Sequence, residues 1–414
     1  MRLPAPLAFT GLLAACGGAS TGAALEQPPA SDAAPARGAA VAQGEPNKPD
    51  AKPAFAEQTR APQSKSNVTL TVETIADGID NPWGSAILPD DGAVLVTSKA
   101  GKLWLVAPGK PKTEVKGVPK VDARDQGGLL DISVGPDFMT ARTIYFSFSE
   151  DRGGGKNATS LGKATLSADR TRLENVSTIF RQEPAWASTA HYGSNIEWDS
   201  SGNLYLTLGE RSDPEPRQLS QDLNTHIGKM VKLKQDGTPA DGNPFIGQAN
   251  AKPEIWSYGH RNVQGAAIHP DTGKLWTIEH GPRGGDEINI PEAGKNYGWP
   301  VITYGIEYAG GPIGEGITAK DGMEQPTYYW DPVIAPGDMT FYTGKLFPWK
   351  GDLIVAALGT TQLVRLDIEG DRVVGEERLM SDQGRIRDVT QAPDGALYLL
   401  VDDGGKVLRV TPQS

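Results

Sequence analysis

Short runs in which apolar and polar residues alternate recur along the chain, each bounded by Gly, Asp or Pro. They are GAVLVTS (92–98), TIYFSFS (143–149), NLYLTLG (203–209), KLWTIEH (274–280), DLIVAAL (352–358) and ALYLLVD (396–402). A period of two puts one set of side chains on each face of a strand. Before most of these runs lies a second strand that ends in a Pro-Asp or Asp-Gly type of turn: SAILPDDG, DISVGPDF, NIEWDSSG, AAIHPDTG and DVTQAPDG. Turn residues that tolerate a left-handed backbone join the two strands into a hairpin. Six such units at irregular spacing predict an all-β fold in which hairpins repeat around a channel, a β-propeller. A pair of β-sandwiches would not repeat one hairpin signature. A short helix is expected only over 218–229.

The stretch 253–300 carries the densest chemistry. Its two apolar runs, 254–258 and 274–278, lead directly into Gly259-His260-Arg261-Asn262 and into His280-Gly281-Pro282-Arg283-Gly284-Gly285-Asp286-Glu287. Polar loops on strand ends are where a rigid sheet presents reacting groups. The strand that ends in Gly209-Glu210-Arg211 is expected to converge on the same face.

Composition narrows the classes. The net charge of -11 over 414 residues offers no basic field for nucleic acid. Gly 50 and Pro 32 suit a turn-rich fold. The single cysteine, Cys16, leaves the folded region without a disulfide or a thiolate metal site. Arg2, the apolar run 3–13 and Leu13-Ala14-Ala15-Cys16 resemble a bacterial lipobox, so 1–16 is expected to be a lipoprotein-type export signal with Cys16 lipidated. An ordinary secretory signal is the other reading. Residues 17–66, rich in Ala, Pro and Gly, are expected to be a flexible tether, with the propeller domain at 67–414. The lipid would be the chain's membrane contact, on the periplasmic side.

Of five histidines, His269 sits in a Pro-Asp turn and is expected at the surface; His226, His260 and His280 have ready structural readings. His191, at a loop tip before Tyr192-Gly193-Ser194, suits a general base, with a structural histidine as the alternative. Glu210 is placed to orient that imidazole, or else to pair with Arg211. In Arg385-Ile386-Arg387, alternation projects both guanidiniums from one face, which calls for an anion between them, either Asp388 or a polycarboxylate ligand. Gly281-Pro282 and Asp286-Glu287 offer the carbonyls and carboxylates that Ca²⁺ prefers.

Six segments carry a resemblance: QGGLLDISVGPDF (126–138), HYGSNIEWDSSGNLYLTLGER (191–211), EIWSYGHRNVQG (254–265), EHGPRGGDEIN (279–289), GKNYGWPVITYG (294–305) and GRIRDVTQAPDGALYLLVDD (384–403). In order and spanning about 70 to 411, they resemble the soluble PQQ-dependent aldose sugar dehydrogenases of the glucose/sorbosone dehydrogenase family. The resemblance implies a six-bladed β-propeller of four-stranded antiparallel blades, in agreement with the hairpin count. It implies that PQQ and Ca²⁺ are cofactors and that an aldose is oxidised at C1 to the lactone, with the electron acceptor unspecified. His191 matches the base that takes the anomeric hydroxyl proton as hydride passes to the quinone, and Glu210 its carboxylate partner. Gln126 matches a residue beside quinone and sugar. Arg261 and Asn262 match the pair on the quinone oxygens, and Arg385 and Arg387 those holding PQQ carboxylates. The carbonyls of Gly281 and Pro282 resemble ligands of the catalytic Ca²⁺, and Glu287 with the Tyr297 carbonyl those of a second, structural Ca²⁺. One departure stands out: the blade-five loop Ala357-Leu358-Gly359-Thr360-Thr361 lacks the lysine with which some members reach PQQ. A non-catalytic sugar- or protein-binding propeller and a calcium-dependent lactone hydrolase are the competing readings.

Overall fold

In a computed structural model of the chain, residues 38–413 are described. The export segment 1–16, the lipidation site Cys16 and tether residues 17–37 lie outside them. Six four-stranded antiparallel sheets form the blades of a propeller. Their innermost strands, in chain order, are Pro82–Ile87, Leu129–Val134, Gly193–Trp198, Val263–Ile268, Pro336–Phe341 and Ile386–Gln391. Each packs on the innermost strands of its neighbours. The ring closes because the first strand, Leu70–Ala76, pairs with the last, Lys406–Pro412, as the outer strand of the sixth blade. Closure in this way ties the first and last strands into one sheet.

The blades cohere because the second strands are apolar on both faces. Val94–Ser98, Leu204–Leu208, Leu353–Ala357 and Leu397–Val401 are buried throughout. Sheets stacked face to face on both sides explain why these runs read as almost continuous hydrophobic stretches. The expected helix at 218–229 is much reduced: one α turn, Pro214–Arg217, runs into a 3₁₀ turn, Gln218–Gln221. Strand Lys229–Leu233 claims the end of that window. Its Lys229 ammonium is buried and donates to the carbonyls of Leu219, Ser220 and Ile227 at 2.8, 3.0 and 2.7 Å. The turn therefore packs on its own following strand.

Every innermost strand carries a register irregularity where it meets its neighbour. A bulge adds a residue to one strand and re-aims the side chain there. The bulged positions include Trp83, Asp131, Asn195, Gln264, Asp338 and Arg387, and all six line one small cavity in the propeller's centre. The bulges are thus how a regular sheet delivers polar groups to its axis.

The tether expectation needs correcting at 38–66. From Gly38 onward the chain belongs to the same compact unit as the propeller. Ala61 and Gln58 are fully buried, and Gln63 bridges to Glu376 on the outer strand of the fifth blade. Few apolar side chains are needed because the blade edges satisfy the segment's polar groups. Ser64 N–H donates to the Glu376 carbonyl and Glu376 N–H to that of Pro62, each at 2.9 Å.

Candidate active site

The His191 loop is built around a tight approach. Its carbonyl lies so close to Gly209 that a Cβ there would come within 2.0 Å of the oxygen. His191 itself has φ +51°, the left-handed region that a residue with a Cβ rarely adopts. Three contacts hold it. Its N–H donates to Gln126 Oε1 at 2.9 Å, and its carbonyl accepts from Arg211 at 3.2 Å. Its Nδ1–H donates to Glu210 Oε2 at 2.7 Å. The structure thus brings together Gln126, His191 and Glu210. The alternative pairing of Glu210 with Arg211 does not form: the Arg211 guanidinium stacks on Tyr192 at 3.8 Å and donates to the Ser188 carbonyl at 2.7 Å.

Electrostatics around the pair follow from burial. Desolvation lowers the His191 pKa; the Glu210 carboxylate opposes this, while Arg261 and Arg211 reinforce it, and the net position is below the usual value. Burial pushes Glu210 upward, yet His191, Arg261 and the Ser212 N–H outweigh it, so the carboxyl stays below its usual range. A neutral imidazole beside an ionised carboxylate is the arrangement a general base requires.

Arg261 joins this pair to the second cluster. Its carbonyl accepts from the Glu210 N–H at 2.9 Å, and its own N–H donates to Glu279 Oε2 at 2.6 Å. Its guanidinium donates to the His280 carbonyl at 2.9 Å and to the hydroxyl of the exposed Tyr308 at 3.3 Å. Its buried Nε has no partner among the described residues. Asn262 accepts from the Gly193 N–H at 3.1 Å and from Gln264 at 3.3 Å, so its amide NH₂ is the group left for a ligand.

The arginine pair converges on one oxygen, Asp402 Oδ2, although a bulge between Ile386 and Asp388 replaces strict alternation. Arg385 precedes strand Ile386–Gln391 and is 47% exposed, whereas Arg387, at the bulge, is 13% exposed. The anion between them is Asp402, at 3.4 Å from Arg385 and 3.7 Å from Arg387. Asp388 is turned away, onto Ser85 and toward Asp338. Arg387 also stacks on Trp83 at 4.3 Å and donates to Gln264 at 3.4 Å, and Gln264 in turn donates to Asn262. A continuous path therefore runs from Arg387 to the His191 loop. One weak carboxylate neighbour for two guanidiniums, and an unpartnered buried Nε on Arg387, fit a ligand rich in carboxylates. Lys99 stands on the other side of the same cluster, its ammonium 5.9 Å from the Trp83 ring. Burial lowers its pKa, Arg387 lowers it further, and Asp125 and Asp402 oppose. Nothing in the sequence marked Lys99, Trp83 or Gln264 as site residues, because it is the bulges and the ring closure that gather them.

Gly281, Pro282, Glu287 and Tyr297 line one cavity with Arg261 and Glu279. Its volume of about 10 Å³ suits a single ion or water. The Asp286 carboxylate takes the N–H groups of Gly281 at 2.8 Å, Ile334 at 2.8 Å and Ala335 at 2.7 Å. Neither the Gly281 nor the Pro282 carbonyl accepts a hydrogen bond among the described residues. Burial and the neighbouring Glu279 charge push Glu287 well above the usual carboxylate range. Two facing carboxylates with free carbonyls are a donor set for a hard cation, although no group of three or more His, Cys, Asp or Glu side chains converges as a metal site among the described residues.

The other histidines are structural. His260 stacks on Tyr297 at 4.9 Å and contacts Ser257 Oγ at 2.8 Å; His280 donates to the Pro336 carbonyl at 2.6 Å. His269 is buried against Phe341 at 4.7 Å, contrary to the surface expectation, because its ring accepts the turn's own N–H groups.

Known proteins resemble this chain in sequence and fold. The family described as Glucose / Sorbosone dehydrogenase matches residues 79–409. Aldose sugar dehydrogenase YliI of Escherichia coli is 43% identical over 354 residues, covering 84% of this chain and 94% of the relative. The crystal structure of the soluble aldose sugar dehydrogenase from Escherichia coli in the apo-form superposes with a TM-score of 0.80 at 43% identity, covering 83% of this chain and 100% of that one. The PQQ-bound form of aldose sugar dehydrogenase from Streptomyces coelicolor gives a TM-score of 0.69 at 28% identity, covering 84% and 100%. The chain belongs to the glucose/sorbosone dehydrogenase family.

Proposed function

We propose that the protein oxidises the C1 hydroxyl of an aldose to the lactone, using PQQ and Ca²⁺. The observation that carries this reading is the buried hydrogen bond from His191 Nδ1 to Glu210 Oε2, 2.7 Å long, beside Arg261. With Nδ1–H committed to the carboxylate, Nε2 is the nitrogen available to take the anomeric hydroxyl proton. Glu210 fixes that tautomer and stabilises the imidazolium once the proton has moved. Arg261 supplies positive charge where negative charge develops. Arg385, Arg387 and Lys99 hold the cofactor's carboxylates, Asn262 donates to it, and Gln126 holds the base in place. Gly281 and Pro282 supply carbonyl ligands for one calcium, Glu287 and the Tyr297 carbonyl for another. When bound, PQQ would supply the hydride acceptor and calcium a Lewis acid.

The relatives' names and the PQQ-bound neighbour support this reading. The unpartnered guanidinium nitrogens of Arg261 and Arg387 favour it over a calcium-dependent lactone hydrolase, whose chemistry has no use for paired arginines. We further propose export and anchoring on the periplasmic side through lipidated Cys16, supported by the lipobox-like sequence. The test is to load the purified protein with PQQ and Ca²⁺ and follow dye reduction across a panel of aldoses. Sugar-dependent reduction with lactone as product is expected; no turnover with any aldose would overturn the proposal.

A further inference from the structure

Residues 44–60 cross the back of the loop that carries Gly281 and Pro282, ahead of the family-matched region at 79–409. Their contacts centre on Asp331, which is 3% exposed and lies just after the outer strand Tyr328–Trp330 of the fourth blade. Asp331 Oδ1 accepts from the Asn47 N–H at 2.9 Å and from its side-chain Nδ2 at 2.7 Å; Oδ2 accepts from the Lys48 N–H at 2.9 Å. Among the described residues these are the hydrogen bonds its carboxylate receives.

The other side of that carboxylate touches the loop. A Cβ at Gly284 would lie 2.6 Å from Asp331 Oδ1, and Gly284 has φ +87°, so this backbone fits only with glycine. The segment also grips both strands of the loop directly. Arg283 Nε donates to Asn47 Oδ1 at 2.8 Å, and Lys48 Nζ donates to the Thr303 carbonyl at 2.9 Å. Residues 283 and 306 form the bridge that joins those two stretches. Arg60 completes the enclosure, donating to the carbonyls of Gly44 at 2.9 Å and Asp331 at 2.8 Å.

Without these donors Asp331 would be a buried, unpaired anion behind the loop, and such a charge is relieved by moving. We propose that residues 44–60 form a latch that sets the position of the Gly281–Pro282 carbonyls, with Asn47 as its positioning residue, an inference that rests on the calcium reading of those carbonyls. Asn47 is suited to the role because its amide reads both sides at once, donating to Asp331 and accepting from Arg283.

The test compares Asn47→Ala with Arg372→Ala. The latter removes the guanidinium that stacks on Phe55 at 3.5 Å and so loosens the same segment at the outer strand of the fifth blade, without touching Asp331 or Arg283. Calorimetric titration of the cofactor-free protein with Ca²⁺ should show affinity weakened about tenfold in Asn47→Ala and unchanged in Arg372→Ala. In chelator, trypsin should cut after the exposed Arg283 about tenfold faster in Asn47→Ala only, read by mass from the resulting fragments. Equal behaviour of Asn47→Ala and the unaltered protein in both measurements would overturn the latch while leaving the calcium reading intact. Equal changes in both variants would also overturn it, as general loosening. An unaltered protein that takes up no Ca²⁺ would overturn the calcium reading and the proposal with it.

Discussion

His191 Nδ1 and Glu210 Oε2 lie 2.7 Å apart, each side chain withdrawn from solvent. The two come from opposite ends of a hairpin, and Gly209 makes their approach possible. Replacing His191 by Ala removes the proposed proton acceptor, so turnover should fall by roughly 10²- to 10⁴-fold. The absorbance of bound quinone should persist in that variant, because the arginine cluster is untouched. Loss of quinone binding together with activity would instead mark His191 as structural.

The pH profile follows from the same environment. Burial and two arginines hold His191 below its usual pKa of about 6.5, so the neutral, proton-accepting form already dominates there. Activity should rise with pH through an acid limb centred below about 6.5 and be flat above it. Glu210→Gln takes away the charge that raises the imidazole pKa, so the limb should move to lower pH. Its plateau should drop at least about tenfold, since the imidazolium formed in the reaction loses its carboxylate. A limb that moves upward would contradict the assignment.

How much of this was legible beforehand depends on what a residue's neighbours in sequence reveal. The hairpins were legible because their period of two and their turns are local. Glu210 and Arg261 stood out because each sits where an apolar strand ends in polar loop, and His191 because it stands at a loop tip beside a glycine, just ahead of a strand. Asp402 between the two arginines, and Trp83 and Lys99 beside them, come from the sixth and first blades, which meet only because the ring closes. Arg387 projects at a bulge, and strict alternation cannot foresee a bulge. The packing of 38–66 escaped notice for another reason: its composition is that of a tether, and its polar groups find partners only on the finished blade edges.

The cluster proposed to hold PQQ makes its own prediction. Arg387→Ala should weaken quinone binding at least tenfold in an absorbance titration, and Arg387→Lys should restore little of it, since a lysine lacks the planar fork and the stack on Trp83. Lys99→Ala should cost less, about two- to fivefold, because its ammonium sits farther from the Trp83 ring and is drawn toward the Asp125 carbonyl. Asp402→Asn removes the competing anion and should leave binding equal or tighter. Weaker binding in Asp402→Asn would show that the carboxylate orients the arginines rather than competing for them.

The carboxyls at the axis govern stability against pH. Burial raises Asp131 to about 8, with the Asp388 charge adding to it and the N–H groups of Ile196 and Ile132 opposing. Burial likewise raises Asp388, to about 6. A carboxyl whose folded pKa lies above its unfolded value of about 3.9 binds more protons in the folded state, so its contribution is present at low pH and lost as pH rises. The window runs from about 4 to about 8, the raised position of Asp131. The unfolding temperature of the cofactor-free protein should therefore decline across this range once other titrations are matched. Asp131→Asn keeps one acceptor for the Ile132 or Ile196 N–H and sacrifices the other, costing about 1 kcal/mol at pH 5. It also removes the titration, so its decline from pH 5 to 8 should be shallower and the two curves should converge or cross near the alkaline end. Parallel curves in thermal melts at half-unit intervals would mean that Asp131 is ionised throughout, and that the propeller's axis is wet enough to solvate it.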